Sequence, residues 1–381
     1  MDEALARAQE LLAGWDGELE RIVPAGSRIF DAHVHLGNDI DGMVGVLDEL
    51  LRIQEHYRIE RSFMFCLDEP DRHPAFRAGN DRTLEFAERS AGRLIPFVRL
   101  DLAEEPIEEA IRCLDRGARG IKLHPRAQGF LLNDERLEPV FALAAERRVP
   151  ILIHGGRGLP PIADHLGRLV DAHPEAQLII AHAGIADLAA LARTFSGKAG
   201  VFFDTSVWSP VDLLDFYRQV PPEQILYASD YPYGRQPNAL LIALRTALVA
   251  GLSEHDLRLM LWENANGIVE GAPPLEPRRP QGNDTITQTM QLARIHQYLS
   301  MATTLLWSRQ QDTGGVLGLA LNACEEQDGH VEITQIRELL ETARVLWREL
   351  PELEEQDRPP MYRSVNGLIH LADVLAVTAG A

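Results

Sequence analysis

The sequence predicts an α/β protein built as an eight-stranded (β/α)8 TIM-type barrel with an all-helical extension at its C-terminal side. Three observations predict it. Eight short apolar runs recur with helical stretches between them. Histidines and one aspartate stand at the ends of several runs. A Pro-rich break near residue 271 separates this alternation from an amphipathic tail.

The elements follow in chain order. Residues 1–27 form an acidic, amphipathic helical segment. The apolar runs are Arg28–Asp31, Ser62–Leu67, Leu94–Leu100, Gly120–His124, Pro150–His154, Leu178–His182, Gly200–Thr205 and Ile225–Ser229. Their apolar residues are continuous rather than alternating, which suits parallel strands buried on both faces. Asp134–Arg148 between the fourth and fifth runs has helical apolar spacing and ends in basic residues, as a helix C-terminus prefers. Pro161–His173, Ala186–Thr194 and Leu240–Val249 read the same way. Strand and helix alternating eight times predict a closed barrel over 28–270. An open doubly wound sheet would carry a GxGxxG turn after its first strand, and none is there. Residues 271–284 (GAPPLEPRRPQGND) read as a linker. Thr285–Gln311, Gly315–Glu326, Glu332–Glu349 and Met361–Val377 then make a helical domain over 285–381.

The 381 residues are 45% apolar and 25% charged, enough for one large barrel and more. A formal charge of −20 argues against nucleic acid and anionic membrane as partners. It leaves a small anionic substrate open, since a few arginines can set the local sign. Cys66, Cys113 and Cys324 are odd in number and far apart, which points to a reducing, cytoplasmic setting. No run of 18 apolar residues spans a membrane, and the N-terminus lacks a signal-peptide pattern. Of 37 basic residues, only Lys122 and Lys198 are lysine.

A barrel of this kind keeps its active site at the C-terminal strand ends. The first run ends in Asp31-Ala32-His33-Val34-His35, the fourth carries Lys122 and His124, the fifth ends in His154, the sixth in His182 and the eighth in Asp230. Residues i and i+2 of a strand share a face, so His33 and His35 can grip one ion. Imidazole and carboxylate donors suit Zn²⁺ and similar ions, which acidify water and polarise carbonyls. Lys122 stands where arginine serves almost everywhere else. A compact amine whose pKa falls on burial fits proton transfer, carbamylation or a point charge on a substrate. Arg99, Arg126, Arg157 and Arg235 follow the third, fourth, fifth and eighth runs and could fork a carboxylate. His124 and Trp208 are further substrate-side candidates. Asp204, Asp68 and His73 are weaker ones. Glu263 and Asn264 read as braces for the barrel.

The motifs DAHVHLG (Asp31–Gly37), GIKLHP (Gly120–Pro125), LIHGG (Leu152–Gly156), IIAHAG (Ile179–Gly184) and YASDYP (Tyr227–Pro232) resemble the amidohydrolase superfamily. The nearest branch is the amidohydrolase-related group with aminocarboxymuconate-semialdehyde decarboxylase-like enzymes. The resemblance runs from about Ile29 to Val269 and stops before the tail. It implies His33, His35, His154 and Asp230 as ligands of one divalent metal, expected to be Zn²⁺. It implies His182 and Asp230 as the groups that move protons. A second metal would require a carbamylated Lys122. The implied function is metal-dependent hydrolysis of a small carboxylate-bearing molecule. The alternatives are non-oxidative decarboxylation of an aromatic or muconate-like acid, and a non-catalytic scaffold whose helical tail binds a partner. A homodimer is one way to bury the apolar stretches of that tail.

Overall fold

Continuous apolar strands need cover on both faces, and the computed structural model of the protein provides it. The structure describes residues 2–282, 288–308, 310–325, 331–350 and 358–380. The strands are β1 (Ile29–Asn38), β2 (Val44–Gly45), β3 (Ile59–Cys66), β4 (Leu94–Arg99), β5 (Gly120–Leu123), β6 (Ile151–Ile153), β7 (Leu178–Ile180), β8 (Val201–Asp204) and β9 (Ile225–Leu226). β1 and β3 through β9 lie side by side in chain order, all parallel. The last then meets the first. Val34 bridges Tyr231, Ala32 N–H donates to the Tyr227 carbonyl at 2.8 Å, and His35 N–H donates to the Tyr231 carbonyl at 2.7 Å. The sheet therefore curls back on itself. All eight expected strands are present. The addition is β2, a short antiparallel partner for the end of β1 through Gly37 and Asn38.

Alternation now separates two apolar layers. Phe30, Phe63, Phe65, Phe97, Leu152, Ile179, Phe202 and Leu226 fill the barrel interior. Their neighbours Ile151, Ile153, Leu178, Ile180, Val201 and Phe203 face outward under the helices. β1 breaks the rule once. Phe30 and Ala32 point inward, yet Val34 and Leu36 join an outer cluster. The register with β3 shifts between Asp31 and Val34, so a bulge puts both Ala32 and His33 on the inner side. From there His33 and His35 share a face, as the i, i+2 spacing requires.

The outer helices include Leu137–Arg147, Ala163–Ala172, Leu188–Phe195, Pro210–Gln219 and Gln236–Val249. Asn264 braces the barrel floor, donating from Nδ2 to the Pro222 and Ile225 carbonyls at 2.8 Å each. The tail forms helices Met290–Trp307, Thr313–Cys324, Val331–Glu349 and Arg358–Val377. The N-terminal helix Asp2–Ala13 packs with them: Arg7 pairs with Glu338, and Leu12 lies against Gly367. Their buried residues, from Ala8 to Val377, continue the same apolar layer that covers the strands. Residues 271–282 carry no helix or strand, yet Arg278 pairs with Glu223 and Asp256 and fastens them to the barrel. The last two linker residues expected, 283 and 284, the start of the following helix at Thr285, and Glu326 lie outside the described residues.

Candidate metal centre

The inner face of β1 delivers two imidazoles to the barrel mouth, and the turn after β9 delivers a carboxylate. Asp230 sits in left-handed backbone at φ 59°, a conformation unusual for a residue with a Cβ. Its N–H donates to the His33 carbonyl at 2.9 Å, which fixes the turn against β1. Asp230 Oδ1 then lies 3.3 Å from both His33 Nε2 and His35 Nε2, and those two nitrogens are 3.1 Å apart.

Proton positions make this cluster informative. His33 Nδ1 sits 2.7 Å from Asp204 Oδ2. A carboxylate accepts, so His33 carries its proton on Nδ1 and presents a bare Nε2. His35 Nδ1 faces the Cys66 carbonyl at 3.4 Å, which likewise leaves Nε2 bare. Burial pushes the pKa of His33 well below the ordinary imidazole value, with Lys122 adding to the effect; burial also lowers that of His35. Both rings are thus neutral. The Asp230 carboxyl stays below the ordinary carboxylate range and is ionised. Three buried acceptors with no proton among them converge; Lys122 Nζ reaches one of them, His33 Nε2, at 3.3 Å, and a cation between all three would satisfy the set. A tetrahedral ion with bonds of about 2.0–2.1 Å spaces its ligand atoms about 3.4 Å apart. The observed separations fit that spacing. His33, His35 and Asp230 are one of two His/acid groups of this compactness among the described residues; the other, His73, Asp101 and Glu104, is more exposed.

The fourth expected ligand, His154, follows β6 and stands outside this trio. Its Nε2 is buried with no hydrogen-bond partner among the described residues. Burial holds its ring neutral, helped by His182. An orphaned, neutral imidazole nitrogen beside the trio is the donor a cation would recruit. His124 stacks on His154 with centroids 4.0 Å apart, and His124 Nδ1 accepts from Ala127 N–H at 3.1 Å. His124 therefore backs His154 rather than joining the trio.

His182 follows β7, also in left-handed backbone at φ 57°. Its N–H donates to Asp204 Oδ1 at 2.9 Å, and its Nδ1 donates to the Ser206 carbonyl at 2.9 Å. This leaves His182 Nε2 as an acceptor beside His33 and His154, whose ring centroids are 5.2 and 4.6 Å away. Lys122 is fully buried, its Nζ 3.3 Å from His33 Nε2 and over the Phe65 ring at 4.4 Å. Burial lowers its pKa to about 7, against the pull of Asp230 and Asp204. Arg99 is its register neighbour on β4 and points into the same mouth. The remaining candidates line the rim. Arg126 is exposed, Arg157 is 73% exposed and paired with Asp212 at 2.7 Å, and Trp208 lies beside the Gly234 backbone.

Asp204 does more than its place in the sequence implied. It is fully buried at the end of β8, and it orients His33, the His182 backbone and Ser206 at once. The one signal for it is an acid closing an otherwise apolar run, GVFFDT, a weak cue without knowing which side chain it would meet.

The barrel carries at its mouth a histidine–aspartate cluster of the kind that could hold a metal ion. An amidohydrolase family model matches residues 31–268, well over half of the chain, and the chain belongs to that family. Solved structures give the same fold. A probable 2-pyrone-4,6-dicarboxylic acid hydrolase from Acinetobacter baumannii aligns at 13% identity and TM-score 0.50, covering 64% of this chain and 99% of its own. A 2,6-dihydroxybenzoate decarboxylase aligns at 18% identity and TM-score 0.51 with the same coverages. A dihydroxybenzoic acid decarboxylase from Polaromonas sp. JS666, solved with manganese, aligns at 17% identity and TM-score 0.50, covering 64% of this chain and 97% of its own. Among curated proteins no match is found.

Proposed function

We propose that this chain is a metal-dependent hydrolase of a small carboxylate-bearing molecule, with one divalent cation, expected to be zinc, held by His33, His35, Asp230 and His154. The observation that carries the reading is the convergence of three proton-free acceptors within 3.3 Å of one another. A cation bound there would supply Lewis-acid chemistry: it acidifies water and polarises a substrate oxygen. The protein's own groups supply the rest. His182 Nε2 is the base that takes a proton from the attacking water, because Nδ1 is committed to Ser206. Asp230 balances the cation charge. Lys122 adds a polar donor between His33 and the Phe65 ring. Three buried free thiols suit a reducing compartment, and we place the protein in the cytoplasm. The chemistry belongs to the barrel over 28–270, with 285–381 as a supporting helical unit, since the family match ends at residue 268.

Elemental analysis of protein purified without added metal is the direct test. About one cation per chain is expected, falling toward zero in Asp230→Asn. Near two would instead indicate a second ion at Lys122. His182→Gln is expected to keep the cation and lose about 10²-fold or more in turnover. Turnover in ¹⁸O-water separates the reaction types. Label in the product marks hydrolysis. Carbon dioxide release without label would replace hydrolysis by decarboxylation.

A further inference from the structure

Arg99 is 2% exposed, and a buried guanidinium ordinarily spends its five N–H groups on partners. This one does not. Nη1 donates to the Cys66 carbonyl at 3.3 Å, while Nε has no hydrogen-bond partner among the described residues. Nη2 lies 3.7 Å from Asp68 Oδ1, beyond hydrogen-bond reach, and Asp68 Oδ1 is itself buried without a partner. Nε and Nη2 form the edge of a guanidinium that grips a carboxylate with two parallel bonds. That edge is unused, and an orphaned acceptor stands just beyond it.

The surroundings hold this edge in place. Asn80 clamps the Arg99 peptide from both sides, accepting from its N–H at 2.9 Å and donating to its carbonyl at 3.0 Å. Phe76 covers the guanidinium plane with its ring centroid 4.7 Å away, in a left-handed turn at φ 55°. Arg72 Nε approaches the same Asp68 oxygen at 3.5 Å, and Asp39 Oδ2 accepts from the Asp68 N–H at 3.0 Å, so two arginines stand beside two carboxylates. The Cys66 carbonyl that receives Arg99 Nη1 also meets His35 Nδ1 at 3.4 Å. The Nη1 corner of the guanidinium is therefore one carbonyl away from a proposed cation ligand.

We infer that Arg99 and Asp68 form a substrate subsite for a carboxylate whose neighbouring carbon bears a hydroxyl. The carboxylate docks on Nε and Nη2 of Arg99, and the hydroxyl donates to Asp68 Oδ1. Both orphaned groups are then satisfied, and the far end of the molecule lies toward His33, His35 and Asp230. The inference rests on the small-carboxylate hydrolase reading and names its substrate class: short 2-hydroxy acids with a second polar end.

Calorimetric titration of the full metal-loaded chain with L-malate and with succinate tests it. Both are expected to bind, malate more tightly. Arg99→Gln is expected to weaken both by about 10-fold to 100-fold while its cation content stays at the wild-type level. Arg99→Lys keeps charge without the fork; it should also weaken both, and it serves if the glutamine variant fails to fold. Asp68→Ala should erase the preference for malate. A folded Arg99 variant that binds both acids like the wild type overturns the subsite, as does a wild type that binds neither. A malate preference surviving in Asp68→Ala overturns the hydroxyl contact. Cation content is read separately. Carboxylate binding that persists in chelator-treated wild type and is lost in Arg99→Gln would uphold the subsite even if the cation assignment fails.

Discussion

At the scale of single residues, the centre depends on where protons sit, and Asp204 decides that. Its Oδ2 accepts from His33 Nδ1 at 2.7 Å, which keeps His33 Nε2 bare toward the cation position. Asp204→Asn could present an amide N–H to that nitrogen. The His33 proton would then move to Nε2, in the way of the ion. Loss of such an orienting partner weakens metal affinity by about 10-fold to 100-fold. Competition against a chromophoric chelator measures it, and unchanged affinity would remove Asp204 from the role. That His33, His35 and Asp230 lie together was legible, because the i, i+2 pair shares a face and the family resemblance adds the acid after the last strand. The role of Asp204, named only among the weaker candidates, was not, nor were those of Ser206 and the Cys66 carbonyl. Their roles depend on partners 24 to 171 residues distant, which one-dimensional spacing does not encode.

At the scale of elements, the eight runs predicted eight strands because both faces of each are buried, and the structure keeps all eight. What escaped is local. The bulge in β1 comes from register with β3, and β2 is only two residues long. His33 and His35 lie within β1 rather than beyond its end. The turn after β6 is a second such detail. A Cβ on Gly156 would come within 2.9 Å of His154 Cε1 and Nε2 and 3.2 Å of His182 Cδ2. The backbone there is not left-handed, so alanine is allowed and only the rings must yield. Gly156→Ala is expected to retain the barrel's circular dichroism while cation content and turnover fall together. Wild-type turnover in that variant would show that the two rings have room to spare.

At the scale of the whole molecule, the helices outside the family match are tied to the barrel by polar contacts inside an apolar layer. His296 and Asp373 join the first and last tail helices at 2.7 Å. Burial is the largest single effect and lowers the His296 pKa, but the Asp373 hydrogen bond together with the charges of Asp373 and Asp212 outweighs it, and the net shift is upward from 6.5. A raised histidine stabilises fully below pH 6.5 and loses that contribution as pH climbs through its folded value. The urea midpoint should therefore be higher at pH 6 than at pH 8, and His296→Gln should flatten the difference. Arg245 is the deeper tie. It lies on the barrel helix Gln236–Val249, pairs with Glu18 near the N-terminus, and donates from Nε and Nη2 to Thr378 Oγ1 and its carbonyl at 2.8 and 2.9 Å. Its side chain is 6% exposed and that of Glu18 12%, so water cannot replace either partner readily. Arg245→Met would leave the largely buried Glu18 charge with only the long contact to exposed Arg21 at 3.9 Å, a loss on the order of 3 kcal/mol. Adding Glu18→Gln removes the stranded charge and should recover part of it. If urea unfolding of the metal-loaded single variant shows a loss under about 1 kcal/mol, the helical unit is held by apolar contact alone.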